Sequence, residues 1–267
     1  MMKKVLTIAG SDCSGGAGIQ ADLKTFSAHG AFGMSVIVSV VAENTSRVIS
    51  IEDISPQVIA DQIDAVFEDI EVDAVKVGML STPQCMNAVA SKMLQYAPKN
   101  VVVDPVMYAK NGAPLMEPDS ISTLIEKVIP FADLLTPNLP EAEAITGLAL
   151  ETDEDLENAA RKIVSMGCRA VLIKGGHAKG SARDVLFDGT AFSAFDAERI
   201  ETKNTHGTGC TYSSAIAANL AEGMSLDEAV RRAKCYVTTA IRHSLAIGKG
   251  HGPTHHFYDL YREGLKR

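Results

Sequence analysis

The segment Asn204-Thr205-His206-Gly207-Thr208-Gly209-Cys210-Thr211 leads straight into the alanine-rich run 213–221. Gly207 and Gly209 permit a tight turn, so that Gly207, Thr208, Gly209 and Cys210 present consecutive N–H groups to one anion at a helix start, where the helix dipole adds its attraction. Cys210 falls at that N-terminus, a setting that tends to lower a thiol pKa and expose a thiolate. Asp104 follows three valines and precedes Pro105, Thr136-Pro-Asn138-Leu-Pro-Glu141 joins a strand to a helix, and Lys174 heads Lys174-Gly-Gly-His177. That lysine can reach phosphate oxygens, and Asp104 and Glu141 can hold Mg²⁺ largely through waters, as this reluctantly dehydrated ion prefers. Phosphoryl transfer depends on positioning and charge neutralisation more than on covalent help, so the set favours a nucleotide-dependent phosphotransferase. There is no GxxxxGK[ST] stretch, which excludes a Walker-type loop.

A second glycine-rich turn competes for attention. Gly16, Gly18 and Ala21 satisfy GxGxxA, and Glu43 ends the following strand where a ribose-binding acid would stand, which suggests a nicotinamide-dependent enzyme. The plainer alternative is a tight turn between strand and helix. A dinucleotide enzyme leaves Lys174 and the 207–210 turn unexplained, and a non-catalytic binding protein leaves the paired carboxylates without purpose.

The elements that must carry these residues follow from hydrophobic patterning. Short β-branched runs at 5–9, 35–42, 74–78, 101–104, 134–136 and 170–174 read as strands buried on both faces. Between them lie helix starts: Ser55-Pro56 and Thr82-Pro83 each set a capping hydroxyl before a first-turn proline, and Ser225 with Glu228 forms a capping box. From 58 onward, Ile59, Ile63, Val66, Phe67 and Ile70 follow helical spacing. Such alternation predicts an α/β fold, a mainly parallel central sheet with helices on both faces and ligands beyond the carboxyl ends of the strands. Asp188-Gly189 between two short apolar runs predicts a hairpin. No linker interrupts residues 1–267, so one domain is expected.

The chain has 267 residues, of which 25 are Lys or Arg and 33 Asp or Glu, a formal net charge of −8. Neither a nucleic acid nor an anionic membrane is an expected partner, and an anionic substrate must be held by local groups. Five cysteines without a CxxC pair fit a reduced, cytoplasmic protein.

Longer motifs carry a family likeness. Leu6-Thr-Ile-Ala-Gly-Ser-Asp12, Ser14-Gly-Gly-Ala-Gly-Ile-Gln-Ala-Asp-Leu-Lys-Thr25, Lys76-Val-Gly-Met79-Leu80, Asp104-Pro-Val-Met107, the 136–141, 174–177 and 204–211 stretches and Gly250-His-Gly-Pro253 occur in this order. The chain closely resembles the hydroxymethylpyrimidine/phosphomethylpyrimidine kinases of thiamine biosynthesis, in the ribokinase superfamily. The resemblance implies a ribokinase-like fold, Mg²⁺ with ATP as co-substrate, and phosphorylation of 4-amino-5-hydroxymethyl-2-methylpyrimidine and then of its monophosphate. It implies that Asp22, Met79 and Val106 line the pyrimidine pocket with Glu43 at the aminopyrimidine edge. Lys174, Asn138 and Thr205 are expected to serve ATP, Asp104 and Glu141 to organise Mg²⁺, and 207–210 to form the anion hole. Cys210 is expected to act as base or to hold the hydroxymethyl group where most ribokinase relatives carry aspartate. Cysteine there points to the pyrimidine and pyridoxal kinase branch, so phosphorylation of pyridoxal, pyridoxine or pyridoxamine is the nearest alternative activity. Glu43-Asn44-Thr45 departs from the usual Gln-Asn-Thr, and an ionised glutamate would pair with a protonated ring nitrogen. The superfamily likeness also implies a homodimer.

Overall fold

The valine-rich runs form nine strands of one sheet, and the computed structural model describes them within residues 1–109, 112–117, 119–175 and 182–263. The strands are β1 (Lys4–Asp12), β2 (Phe32–Glu43), β3 (Val48–Asp53), β4 (Ala74–Val77), β5 (Val101–Val103), β6 (Leu134–Leu135), β7 (Val171–Ile173), β8 (Asp184–Phe187) and β9 (Phe192–Phe195). Their order is β3-β2-β1-β4-β5-β6-β7-β8-β9. From β2 to β7 neighbouring strands run parallel, while β3, β8 and β9 are antiparallel additions at the edges. The hairpin expected around Asp188-Gly189 is β8–β9. β3 was not expected from the sequence. It is a largely exposed edge strand and lacks the apolar run that marks a strand buried on both faces.

The helices are α1 (Gly18–Ala28), α2 (Pro56–Phe67), α3 (Pro83–Tyr96), the single turn α4 (Ser120–Thr123), α5 (Leu139–Thr146), α6 (Asp153–Ser165), α7 (Thr208–Ala221), α8 (Leu226–Arg242) and α9 (Tyr258–Glu263). The capping hydroxyls stand where the sequence puts them: Ser55 accepts from the Val58 N–H, Thr82 from Cys85 and Ser225 from Glu228. No helix among the described residues is long and apolar enough to cross a membrane.

Strand alternation divides the core in two. Leu6, Ile8, Val75, Val77, Val101, Val103, Leu135, Val171 and Ile173 join the layer that includes α2, α3, α5 and α6. Val5, Ala74, Val102, Leu134 and Leu172 turn the other way, against Ala215, Ile216 and Ala218 of α7 and Val230 of α8. Burying one such aliphatic side chain contributes roughly 1.5–3 kcal/mol, so both layers clamp the sheet between them. A period of two then puts Thr7, Lys76, Asp104, Thr136 and Lys174 on the α7 side as well. The polar residues of five strands thereby gather beneath one helix. The chain passes from β1 to β2 and β3 on one side and then returns to β4 on the other, so the strand order reverses at β1, and the crevice beyond its carboxyl end is where such a sheet binds ligands.

Candidate active site

The tight turn that the spacing suggests does open α7. Gly207 adopts φ +74° as the N-cap of α7, and a Cβ there would run into the Gly16 carbonyl. Only glycine fits both demands. The Thr208 N–H and hydroxyl turn back to the Thr205 carbonyl, at 3.3 and 2.8 Å, leaving the next N–H groups of α7 at the open end of the helix. A Cβ on Gly209 would stand 3.2 Å from Asp104 Oδ2 and 3.4 Å from Lys174 Nζ, so the first turn of α7 lies directly against those two side chains.

Asp104 is 1% exposed. Lys174 Nζ donates to its Oδ1 at 2.6 Å, Thr136 Oγ1 donates to the same oxygen at 3.2 Å, and Ser213 Oγ reaches Oδ2 at 3.4 Å. Burial opposes the Lys174 charge, yet Asp104 and Glu141 raise its pKa above the ordinary value. Asn138 and Glu141 close a reciprocal capping box on α5: the Glu141 N–H donates to Asn138 Oδ1 at 3.0 Å and the Asn138 N–H to Glu141 Oε2 at 2.8 Å. The carbonyl oxygen of the Asn138 amide is therefore committed to the helix. Burial pushes the Glu141 carboxyl up to about 7, with Lys174 opposing and Asp104 reinforcing the rise. Asp104 and Glu141 offer hard oxygen donors beside the Lys174 ammonium, a donor set that fits Mg²⁺.

Cys210 corrects an expectation. Burial pushes its thiol up to about 11, Lys76 and a Gly18 N–H pull the other way, and Asp22 and Asp104 oppose ionisation. The helix terminus is outweighed, and the thiol stays protonated at neutral pH.

Asp22 lies beneath the crevice with no exposed surface. Thr7 Oγ1 at 2.6 Å and Lys76 Nζ at 2.8 Å donate to its Oδ2, and Ser214 Oγ at 2.7 Å donates to its Oδ1. It ties β1, β4 and α7 together under the site. Lys76 joins the site although its motif alone points to no role for it. Its signal is a lysine inside the buried strand Ala-Val-Lys-Val. Its Nζ stands 2.6 Å from where a Gly78 Cβ would be. Met79 is buried with its methyl against Gly10, and Val106 is half-buried after Asp104.

The first glycine-rich turn follows the plainer of its two readings, a tight turn between β1 and α1. Asp12 accepts from the N–H groups of Ser14 at 2.7 Å, Gly16 at 2.9 Å and Ala17 at 2.7 Å, and its Oδ2 lies 2.8 Å from His206 Nε2. The amides that a dinucleotide phosphate would need are thus capped from within. His206, just before the α7 N-cap, also donates its N–H to the Gly252 carbonyl at 3.1 Å, Glu43 is half-buried at the end of β2, and Gly176 and His177 lie outside the described residues.

The segment after α8 straps these loops together. The His251 N–H donates to the Thr45 carbonyl at 2.8 Å, Gly252 to Asn204 Oδ1 at 3.1 Å, and Thr211 Oγ1 lies 3.1 Å from His256 Nε2.

Sheet order and strand-end chemistry together define a class, a small-molecule phosphotransferase of ribokinase-like architecture. Within it the chain belongs to the phosphomethylpyrimidine kinase family, whose profile matches residues 12–255. It is 50% identical over 262 residues to the hydroxymethylpyrimidine/phosphomethylpyrimidine kinase of Rhizobium meliloti, covering 97% of this chain and 98% of that one. It is 52% identical over 253 residues to the thiamine biosynthesis bifunctional protein of Geobacter sulfurreducens, but spans only 52% of that longer chain. Among solved structures it is similar to the Bacillus subtilis pyridoxal kinase in complex with ADP, with a TM-score of 0.90, 40% identity and coverage of 99% and 100%. A phosphomethylpyrimidine kinase from Clostridium difficile matches with a TM-score of 0.81 and 46% identity, covering 90% of this chain and 99% of that one.

Proposed function

We infer that the chain is an ATP-dependent kinase that phosphorylates 4-amino-5-hydroxymethyl-2-methylpyrimidine and then converts the monophosphate to the diphosphate in thiamine biosynthesis. The observation that carries this reading is the meeting of Gly209, Asp104 and Lys174 at the head of α7. Amide donors, a carboxylate and an ammonium there face the place where a phosphoryl group must pass.

Asp104 and Glu141 would hold Mg²⁺, which when bound neutralises charge on the nucleotide phosphates. Lys174 exchanges part of its contact with Asp104 for phosphate oxygens, and the first amides of α7 take up charge developing on the transferred group. Thr205 shapes that turn through its carbonyl. The substrate hydroxyl forms a bond to the γ-phosphorus while the bond to the ADP oxygen breaks. A loose transition state puts little charge on the attacking oxygen, so its proton can leave late, to the phosphoryl oxygens. A protonated Cys210 therefore orients the hydroxyl and does not serve as a thiolate base. Met79 and Val106 form the apolar wall, and Asp22 supports it from below through Lys76.

Phosphorylation of B6 compounds is the second reading, favoured by the 0.90 TM-score to a pyridoxal kinase. Mass spectrometry after incubation with Mg-ATP and the hydroxymethylpyrimidine, its monophosphate, pyridoxal or pyridoxine separates the two. Mono- and diphosphorylated pyrimidine are expected, and exclusive phosphorylation of B6 compounds would replace the first reading with the second.

A further inference from the structure

Glu43 closes β2 beside Asp12, which closes β1 and stands opposite Val41 in the parallel register. Asp12 is a fixed anion. Three backbone N–H groups and His206 bind its carboxylate, and although burial opposes ionisation, these bonds hold its pKa down at about 2. One polar atom each of Asp12, Glu43 and His206 lie within 4.8 Å of one another, so a half-buried carboxyl faces a carboxylate that cannot turn away. Burial and then Asp12 push Glu43 up to about 7, with His206 opposing. The Cys13 thiol donates to the Glu43 backbone carbonyl and leaves its carboxyl alone. β3 contributes Val48 opposite Glu43, and His251 of the strap turns its Nδ1 to the Lys203 carbonyl. The trio is not a cation site, because the Asp12 oxygens and His206 Nε2 are already committed to one another and to the turn.

We propose that Glu43 meets the substrate as a neutral carboxylic acid, kept so by the immobile Asp12–His206 pair, and thereby selects an aromatic amidine edge over a hydroxypyridine. The proposal rests on the kinase reading. A carboxylic acid donates its O–H to the ring nitrogen and accepts from the neighbouring amine, two parallel hydrogen bonds. An ionised carboxylate only accepts, and turns its charge toward the lone pair of the ring nitrogen. A hydroxypyridine offers an O–H that the ionised form accepts well. Rising pH therefore shifts preference from the aminopyrimidine toward the hydroxypyridine. Asp12 and His206 act through Glu43 and are positioning residues.

The test is KM for the aminopyrimidine and for pyridoxine between about pH 5.5 and 8.5, in the wild type, Glu43→Gln and Asp12→Asn. Ring protonation of each substrate is followed by ultraviolet absorbance and divided out. In the wild type, KM for the aminopyrimidine stays level on the acid side of the Glu43 midpoint and rises about tenfold per pH unit beyond it, as the binding-competent fraction falls. Glu43→Gln, whose amide donates and accepts at every pH, gives a level profile. Asp12→Asn removes the opposing anion and moves the break to lower pH, which a merely structural role for Asp12 would not do. A wild-type profile that tracks Glu43→Gln, or a break unmoved in Asp12→Asn, overturns the proposal. Should Asp12→Asn fail to fold by thermal melting, the wild-type and Glu43→Gln comparison decides alone. Pyrimidine phosphorylation with a pH-independent KM sinks this proposal only, whereas no pyrimidine phosphorylation at any pH sinks the kinase reading with it.

Discussion

Lys76 Nζ and Asp22 Oδ2 face each other across 2.8 Å with no exposed surface on either side chain. The pair joins β4 to α1, and Ser214 extends it to α7. Removing one partner strands the other charge in the core. Lys76→Met is expected to cost about 3–5 kcal/mol, and Lys76→Met combined with Asp22→Asn distinctly less, because the double variant buries no lone ion. Urea unfolding of the two variants measures the difference.

Gly207 and Gly209 are two residues apart but should fail differently. Gly207→Ala combines a left-handed φ with collision at the Gly16 carbonyl, so loss of folded protein is expected. At Gly209 the added methyl meets Asp104 and Lys174 at 3.2 and 3.4 Å, so Gly209→Ala should fold and lower kcat on the order of 10²-fold. Circular dichroism with steady-state kinetics on each variant distinguishes the two.

The protonated Cys210 thiol predicts slow alkylation. At pH 7.5, iodoacetamide should label exposed Cys13 and Cys235 well before Cys210, by peptide mass mapping. Cys210→Ala should lower kcat about 10²-fold through lost orientation of the hydroxyl, and near-wild-type turnover would remove it from the reaction.

His256 makes stability depend on pH. Burial, with Lys24 and His255 adding, pushes its imidazole down from 6.5 to about 4. The folded state therefore binds the proton less tightly than the unfolded state. This contribution is complete above the unfolded pKa and is lost as pH falls from 6.5 toward 4, by up to about 3 kcal/mol. Urea midpoints should fall over that window in the wild type and much less in His256→Gln.

The alternation of strands and helices was legible because apolar runs were bounded by caps, and Asp104 and Lys174 stood out because each follows a run of buried aliphatics. The same alternation could have exposed Lys76, a charge within four consecutive buried positions. β3 was hidden by its exposed edge. The Asp12 contact with His206 left no local trace, and it converted an apparent phosphate turn into one filled from within. Helix position alone misjudged Cys210, because burial and two carboxylates decide its protonation.

The strap after α8 has a consequence for biosynthesis. Asp12 and His206 are 194 positions apart, and Thr45 and Gly250 are 205 apart, yet each pair shares a hydrogen bond. Closing loops of this length is slow, and it happens only after both ends have left the ribosome. A nascent chain therefore owns the strands of its sheet before it can tie the turns at their carboxyl ends together.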